Sequence, residues 1–398
     1  MSSLTPSEIA FLMLAMIQAV AAVMWAMGAW WIRETRTAAA HWAGYASCSA
    51  VAFLYLGTNL RALPMAGVLV AMTGLMLLQH GVWHFTGQPR RYLPHAAMLA
   101  AAALASWVGA DPAWRPQQAV VHYTITATLY LWTAFDLYRY ARGTLVLRFP
   151  LLMAVPLLLA GLNAAGRALR TALKPEALAT EIASNSTLNV GTAMAVVALI
   201  AMLHATLMAL VVARLIQQLR WRARHDGLTG LLNRRAMQEA IDQELSRSRR
   251  AGDTFALVML DIDHFKAIND RHGHPAGDQA LQHTAALLQT SVRAVDRVGR
   301  FGGEEFIVLL PGVGLAQAAD IAEVLRARLA AEPIQSEGEP LALSASFGVA
   351  EWQGPKEEPS RLLLRADQAL YRAKRGGRNQ VQTTDDDTGI ALGDPVAA

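Results

Sequence analysis

Residues 300–306 read Arg-Phe-Gly-Gly-Glu-Glu-Phe and place a two-glycine turn between the short segments 297–301 and 304–310. This pattern predicts a β-hairpin. Upstream, the apolar run 255–260, Phe-Ala-Leu-Val-Met-Leu, predicts a buried strand that ends at Asp261. Carboxylates at a strand end and at a hairpin turn indicate a site for a hard divalent cation, which in such sites commonly coordinates nucleotide phosphates.

Helices and strands alternate around this hairpin. The pattern predicts an α+β domain with a mixed or antiparallel sheet covered by helices. We expect helices at 234–250, 275–293, 314–331 and 360–374, and strands at 254–263 and 340–351.

The first half of the chain has a different composition. Residues 1–213 contain 12 of the chain's 35 Lys/Arg and 6 of its 31 Asp/Glu. Residues 214–398 contain the other 23 Lys/Arg and 25 Asp/Glu. Such an uneven distribution excludes one uniform soluble globule and predicts an α-helical transmembrane bundle. We expect about seven spans, at 8–32, 42–60, 65–86, 92–110, 117–138, 149–169 and 187–213.

The basic residues predict the orientation of these spans. With the N-terminus outside, 11 arginines lie in cytoplasmic segments and 5 basic residues lie outside, although the external cluster 167–174 points mildly the other way. No Lys or Arg precedes Arg33, so we expect the first span to be retained rather than cleaved as a signal peptide. Most of the net charge of +4 is juxtamembrane arginine, so it does not indicate nucleic-acid binding.

Several polar side chains fall inside the expected spans, where each is costly. One interpretation is a metal, haem or small-ligand pocket; the other, which we favour, is hydrogen bonding between helices. Cys48 cannot form an internal disulfide because it is the chain's single cysteine. The polar residues are His80, His84, His122, Asp136, Asn163 and His204.

Residues 214–225 join the two halves without Gly or Pro, which predicts a continuous juxtamembrane helical linker. We expect the four parts of the chain to be a transmembrane sensor region at 1–213, this linker, a cytoplasmic domain at 226–383 and a disordered tail at 384–398.

Five stretches in order carry a family resemblance. They are Asp226-Gly-Leu-Thr-Gly-Leu-Leu-Asn-Arg-Arg235, Asp261-Ile-Asp-His-Phe-Lys-Ala-Ile-Asn-Asp270, Gly273-His-Pro-Ala-Gly-Asp278, Arg300-Phe-Gly-Gly-Glu-Glu-Phe306 and Tyr371-Arg-Ala-Lys-Arg-Gly-Gly-Arg-Asn379. Together they resemble the diguanylate cyclase (GGDEF domain) family in its Gly-Gly-Glu-Glu-Phe variant. The resemblance implies a palm-type, nucleotide-cyclase-like fold and the condensation of two GTP into cyclic di-GMP and two pyrophosphates. It also implies a homodimer, and together with the expected spans it predicts a location at the bacterial inner (cytoplasmic) membrane.

The same resemblance assigns roles to individual residues. A Mg²⁺ or Mn²⁺ ion would be held by Asp261, Ile262 and Glu304, with Glu305 as a further catalytic acidic group that either binds metal or accepts the ribose proton. Guanine would be read by Asn269 and Asp278, with a weaker contact from His274. The remaining substrate-binding residues, around the phosphates, would be Lys266, Lys374, Arg378 and the backbone at His264 and Phe265.

Arg293-Ala-Val-Asp296 matches the inhibitory Arg-x-x-Asp site of this family, at which bound cyclic di-GMP would give product feedback. The other interpretation is a surface ion pair. Two further alternatives stay open for the whole chain: a catalytically silent receptor that binds GTP or cyclic di-GMP, and a transporter or channel with an accessory cyclase. The full set of acidic residues favours the enzyme, and the ligand of the membrane half is not indicated.

Overall fold

The computed structural model describes residues 5–57, 64–144, 150–176, 187–336 and 339–385. The chain divides into two units, residues 1–214 and 215–398, and each is described by itself. The expected disordered tail lies outside the described residues from residue 386 onward.

The described part of the first unit contains six α-helices and the first part of a seventh, which continues past residue 214 into the second unit. The first begins at a capping box in which Thr5 Oγ1 accepts from the Glu8 N–H at 3.3 Å and the Glu8 carboxylate accepts from the Thr5 N–H at 2.8 Å. The helices are α1 Pro6–Trp31, α2 Arg36–Gly57, α3 Pro64–Thr86, α4 Tyr92–Val108, α5 Arg115–Thr144, α6 Val155–Leu173 and α7 Thr187–Arg224.

Three stretches among the described helices are long and apolar enough to cross a membrane: Glu8–Trp31, Ala66–Thr86 and Met194–Arg224. A fourth, Tyr92–Val108, is apolar but shorter. For the other helices, the predicted seven-span arrangement stays a prediction. Within the expected span 149–169, Pro150–Met153 is a short 3₁₀ helix, and α6 begins at Val155. The last helix does continue past the expected span end, to Arg224.

Several polar side chains of the first unit, four of them among the predicted residues (His80, His122, Asp136 and His204), form hydrogen bonds between helices. His95 Nδ1 and His80 Nε2 are 2.8 Å apart, and the Trp83 indole N–H donates to Asp136 at 2.8 Å. Further pairs are Trp25 with His204, His204 with Gln18, and His122 with Ser106. This is the geometry expected of hydrogen bonding between helices.

The second unit contains a five-stranded sheet in the order β2-β3-β1-β6-β7. The strands are β1 Phe255–Ile262, β2 Arg297–Arg300, β3 Glu305–Pro311, β6 Ala345–Glu351 and β7 Val381–Thr383, and a separate hairpin pairs β4 Ile334–Ser336 with β5 Glu339–Leu341. Pairing is antiparallel except between β6 and β7. The helices are α8 Arg234–Ala251, α9 Phe265–His272, α10 His274–Ser291, α11 Leu315–Ala331 and α12 Pro359–Arg375.

The central strand β1 is buried along its whole length because helices cover both faces of the sheet. Ala256, Val258 and Leu260 pack in the core with residues of α10 and α11, whereas Leu257 and Met259 pack with α8 and α12. By this alternation Asp261 lies on the α8 and α12 side. The predicted strand 340–351 was wrong in extent, because residues 342–344 separate β5 from β6.

Candidate active site

Two of the predicted acidic residues face each other at one end of the sheet. Asp261 on β1 is directly opposite Glu305 on β3, so their side chains share a face. Glu304 precedes β3, and its carbonyl accepts from the Ile262 N–H at 3.3 Å. The hairpin therefore brings Asp261, Ile262, Glu304 and Glu305 together from two separate stretches of chain.

A cation already lies against this cluster. The Lys374 ammonium from α12 is 2.8 Å from Asp261 Oδ2. Burial raises the pKa of Asp261, and the nearby Glu304 and Glu305 raise it further, while Lys374 opposes them. The pKa of Asp261 stays above its ordinary value although Lys374 is close, so further positive charge would stabilise the carboxylate, and the predicted donor set fits a divalent ion.

In the part of the chain that the structure describes, no three carboxylate, imidazole or thiol side chains form a ready-made metal cage. The predicted donor set is the carboxylates of Asp261 and Glu304 and the backbone carbonyl of Ile262. A divalent ion held by so few protein ligands would keep coordination positions for substrate phosphate and water.

The glycine turn is built around the acidic side chains. A Cβ at Gly302 would lie 2.5 Å from Glu305 Oε2, so the carboxylate occupies the space that any other residue at 302 would need. Arg300 donates to the Gly303 carbonyl at 3.1 and 2.7 Å and to Asp226 Oδ1 at 3.0 Å.

Asp226 anchors this arginine from the start of the domain. Partial burial alone would raise the pKa of Asp226, but hydrogen bonds from Thr229 and Arg300 bring that pKa below its ordinary value. The Asp226–Arg300 pair was not predicted from the sequence. Its only signal in the sequence is that Asp226 begins the first quoted motif and Arg300 begins the fourth.

The predicted guanine readers lie on two consecutive helices. Asn269 on α9 places its side-chain oxygen where a Cβ of Gly277 on α10 would stand, beside Asp278. Asp278 and His274 are exposed to solvent, and so is Lys266. The structure brings Asn269 and Asp278 together at the α9–α10 junction, and their role in binding stays a prediction.

The residues before α9 have the backbone of a tight turn. His264 has φ 56°, and its carbonyl accepts from the Ile268 N–H at 3.1 Å. Phe265 is the first residue of α9, so its N–H lies in the first turn of that helix. Free N–H groups in the first turn of a helix attract phosphate. The predicted phosphate contacts at His264 and Phe265 are compatible with this position.

The two residues of the predicted inhibitory site, Arg293 and Asp296, are hydrogen-bonded to each other. Arg293 Nη2 and Nε donate to Asp296 at 3.1 and 3.3 Å, and the Arg293 backbone N–H donates to the same carboxylate at 2.8 Å. Asp296 is buried while Arg293 is exposed. In this conformation, the Asp296 carboxylate accepts hydrogen bonds within its own turn, and only the outer face of Arg293 is open to a ligand.

Sequence comparison then defines the domain. Residues 223–380 match the family model described as "Diguanylate cyclase, GGDEF domain". These residues are a GGDEF domain. The match comprises all five of the quoted motifs.

Relatives of the GGDEF domain include proteins with established names. The chain is 47% identical over 163 residues to the diguanylate cyclase DgcP of Pseudomonas aeruginosa, covering 41% of this chain and 24% of that protein. It is 42% identical over 158 residues to the response regulator PleD of Caulobacter vibrioides, covering 39% of this chain and 35% of that protein. The crystal structure of the GGDEF domain of DgcB from Caulobacter crescentus in complex with c-di-GMP is 36% identical, with a TM-score of 0.40, and covers 41% of this chain and 94% of that chain.

The chain therefore spans less than half the length of these curated relatives. The similarity to these three relatives concerns the GGDEF domain.

Proposed function

We propose that this protein is a membrane-anchored diguanylate cyclase that condenses two GTP into cyclic di-GMP and two pyrophosphates. The observation that carries the proposal is Asp261 opposite Glu305, with Lys374 at 2.8 Å. A silent receptor would not need Asp261 and Glu305 on one face of the sheet end. Lys374 supplies one positive charge against the carboxylates of Asp261, Glu304 and Glu305, and the remaining like charge destabilises the domain unless a further cation compensates it.

Mg²⁺ or Mn²⁺ is the expected cofactor, held by the carboxylates of Asp261 and Glu304 and the carbonyl of Ile262. When bound, such an ion stabilises charge on the α-phosphate and lowers the pKa of the attacking 3′-hydroxyl. Glu305, on the same face as Asp261, is the group placed to bind metal or to accept the hydroxyl proton.

The substrate roles follow the positions of the side chains. Asn269 and Asp278 would hydrogen-bond the guanine edge, with His274 nearby. The phosphates would meet the exposed Lys266, the backbone N–H groups at His264 and Phe265, and the positive charges of Lys374 and Arg378. Catalysis would then be largely positioning and charge stabilisation.

A homodimer is part of the proposal because one GGDEF domain would hold one GTP, so the attacking hydroxyl and the α-phosphate come from two domains. The end of α7 supports self-association, since its Ile216, Leu219 and Trp221 side chains are 42%, 64% and 52% exposed. With the last span ending at residue 213, as proposed, these side chains lie beyond the membrane, where exposed apolar side chains favour burial against a second copy.

The membrane part is proposed to cross the bacterial inner membrane seven times, with the N-terminus outside, lipid around the helices and the GGDEF domain in the cytoplasm. A reporter inserted after Arg36 should behave as cytoplasmic, because Arg33 and Arg36 follow the first helix. A reporter fused ahead of α1 is the matched control and should behave as external. An external signal from the reporter after Arg36 would overturn this orientation.

Product feedback through Arg293 and Asp296 is proposed on the motif's position and on the exposed face of Arg293. Arg293→Ala should relieve inhibition by added cyclic di-GMP, since the guanidinium is the group open to a guanine edge. The measurement is initial rate against added cyclic di-GMP for both proteins, with Arg328→Ala as a control arginine that pairs with Glu332. Identical inhibition curves for the wild type and Arg293→Ala would exclude the feedback site.

The activity itself is tested by incubating the purified full-length protein in detergent with GTP and Mg²⁺. Cyclic di-GMP should form, and it should stop forming when EDTA removes the metal. Binding of GTP and metal without any cyclic dinucleotide would favour the silent receptor instead.

A further inference from the structure

Asp263 is a buried carboxylate to which neither the sequence patterns nor the proposed mechanism gives a role. It is 5% exposed and lies just after β1, two residues beyond Asp261. Its oxygens accept from the Ser344 hydroxyl at 2.9 Å, the Ser346 hydroxyl at 2.7 Å and the Asn379 backbone N–H at 3.0 Å. A buried carboxylate with three donors is held in one orientation.

The loop that Asp263 contacts has an unusual backbone. Gly377, Arg378 and Asn379 have φ of 115°, 64° and 44°, so three consecutive residues lie in the left-handed region. Side chains other than glycine rarely adopt this conformation, and they keep it only where surrounding contacts impose it.

Two contacts impose it here on Asn379. Asp263 accepts from its backbone N–H, and Arg326 of α11 donates to its side-chain oxygen at 2.8 Å. Arg326 is itself oriented by Glu323, which accepts from it at 2.9 and 2.6 Å. The loop is thus fixed from β1 on one side and from α11 on the other.

The loop follows directly on the end of α12. Lys374 on α12 and Arg378 in the loop are two of the cations assigned above to the phosphates. Lys374 pairs with Asp261 at 2.8 Å, and the Arg378 N–H donates back to the Ala373 carbonyl at 3.1 Å. Asp261 and Asp263 therefore fix the same segment at two points, one on the helix and one on the loop.

We propose that Asp263 is a positioning residue for the triphosphate site: it holds loop 377–379 in its left-handed conformation and so fixes the direction of Arg378 toward the β- and γ-phosphates. The proposal rests on the proposed cyclase function for the identity of the ligand. The charge of Asp263 is not what matters, because its partners are two hydroxyls and one N–H.

This distinction sets the choice of variants. In Asp263→Asn, the amide oxygen still accepts from Asn379 and Ser344, while the amide NH₂ donates to the Ser346 hydroxyl, which can rotate to accept. Asp263→Ala removes all three contacts. Glu357→Ala is the matched control, since Glu357 is a buried carboxylate that pairs with Arg365 near the other end of α12.

The experiment measures binding of a non-hydrolysable GTP analogue and of GMP, with Mg²⁺, to the full-length protein in detergent. For Asp263→Ala, the analogue should bind about tenfold more weakly while GMP binding changes by less than about twofold, because only the outer phosphates lose a partner. Asp263→Asn and Glu357→Ala should bind both nucleotides as the wild type does.

Loss of GMP and analogue binding together in Asp263→Ala, matched by Glu357→Ala, would mean a purely structural role and would overturn the proposal. Unchanged analogue affinity in Asp263→Ala would overturn it too.

If Asp263→Ala does not fold, Asn379→Ala tests the same loop, because it breaks the Arg326 contact and disfavours the left-handed φ. Unchanged analogue affinity in Asn379→Ala would count equally against the proposal. A wild-type protein that binds the analogue but makes no cyclic di-GMP would refute the cyclase proposal alone.

Discussion

Glu305→Ala is expected to abolish formation of cyclic di-GMP while leaving the domain folded. Glu305 lies opposite Asp261 at the sheet end, and its carboxylate packs over Gly302, whose hypothetical Cβ would be 2.5 Å away. Removing one preorganised charged group from a phosphoryl-transfer site lowers the rate by roughly 10²–10³-fold or more. The measurement is the initial rate of cyclic di-GMP formation by the full-length protein at saturating GTP and Mg²⁺.

The fold should tolerate this change because the acidic cluster is strained by like charge. Glu305 contributes to the raised pKa of Asp261, so its removal relieves a repulsion and should leave the melting temperature unchanged or slightly higher. Glu332→Ala is the control, since that exposed carboxylate pairs with Arg328 and should affect neither rate nor stability. A fully active Glu305→Ala protein would show that the acidic turn has been assigned the wrong role.

Gly348→Ala is expected to destabilise the GGDEF domain severely. Gly348 on β6 lies directly beneath α12, and a Cβ there would collide with the Ala366 carbonyl oxygen and with the backbone nitrogen of Leu370. Backbone atoms within a helix cannot give way as a flexible side chain can, so the sheet and the helix would have to separate. We expect a loss of about 3 kcal/mol or more in the free energy of unfolding.

Trypsin resistance of the cytoplasmic domain against temperature, followed on the full-length protein, measures this effect. Gly227→Ala is the matched control because a Cβ there meets nothing within 4 Å and its φ is ordinary. A melting temperature for Gly348→Ala equal to that of Gly227→Ala would contradict the close packing of α12 on β6.

The sequence predicts the parts of the site that depend on local pattern. The apolar run before Asp261 and the two-glycine turn before Glu304 can each be recognised from their own residues. The antiparallel pairing of β1 and β3 then brings the carboxylates of Asp261 and Glu305 to the same end of the sheet, as expected. The long helices of the second unit were also predicted, since each has an apolar face of helical period.

Contacts between distant segments were not predictable in this way. Nothing local marks Asp263 as a partner of Asn379, or Asp226 as a partner of Arg300, because each pairing depends on how separate elements meet. The break at residues 342–344 was missed for a related reason: the apolar pattern runs through it, although among the described strands β5 pairs with β4 and not with the central sheet. The short helix α9 and the parallel strand β7 likewise form only in the context of the assembled domain.

The measurement that tests the central proposal most directly is the stoichiometry of the reaction. The purified full-length protein is incubated with GTP and Mg²⁺, and pyrophosphate and cyclic di-GMP are quantified in the same samples over time. A cyclase releases two pyrophosphates for every cyclic di-GMP formed, and this ratio should hold throughout the reaction. Release of inorganic phosphate with no guanine dinucleotide, or no turnover of GTP at all, would contradict the account.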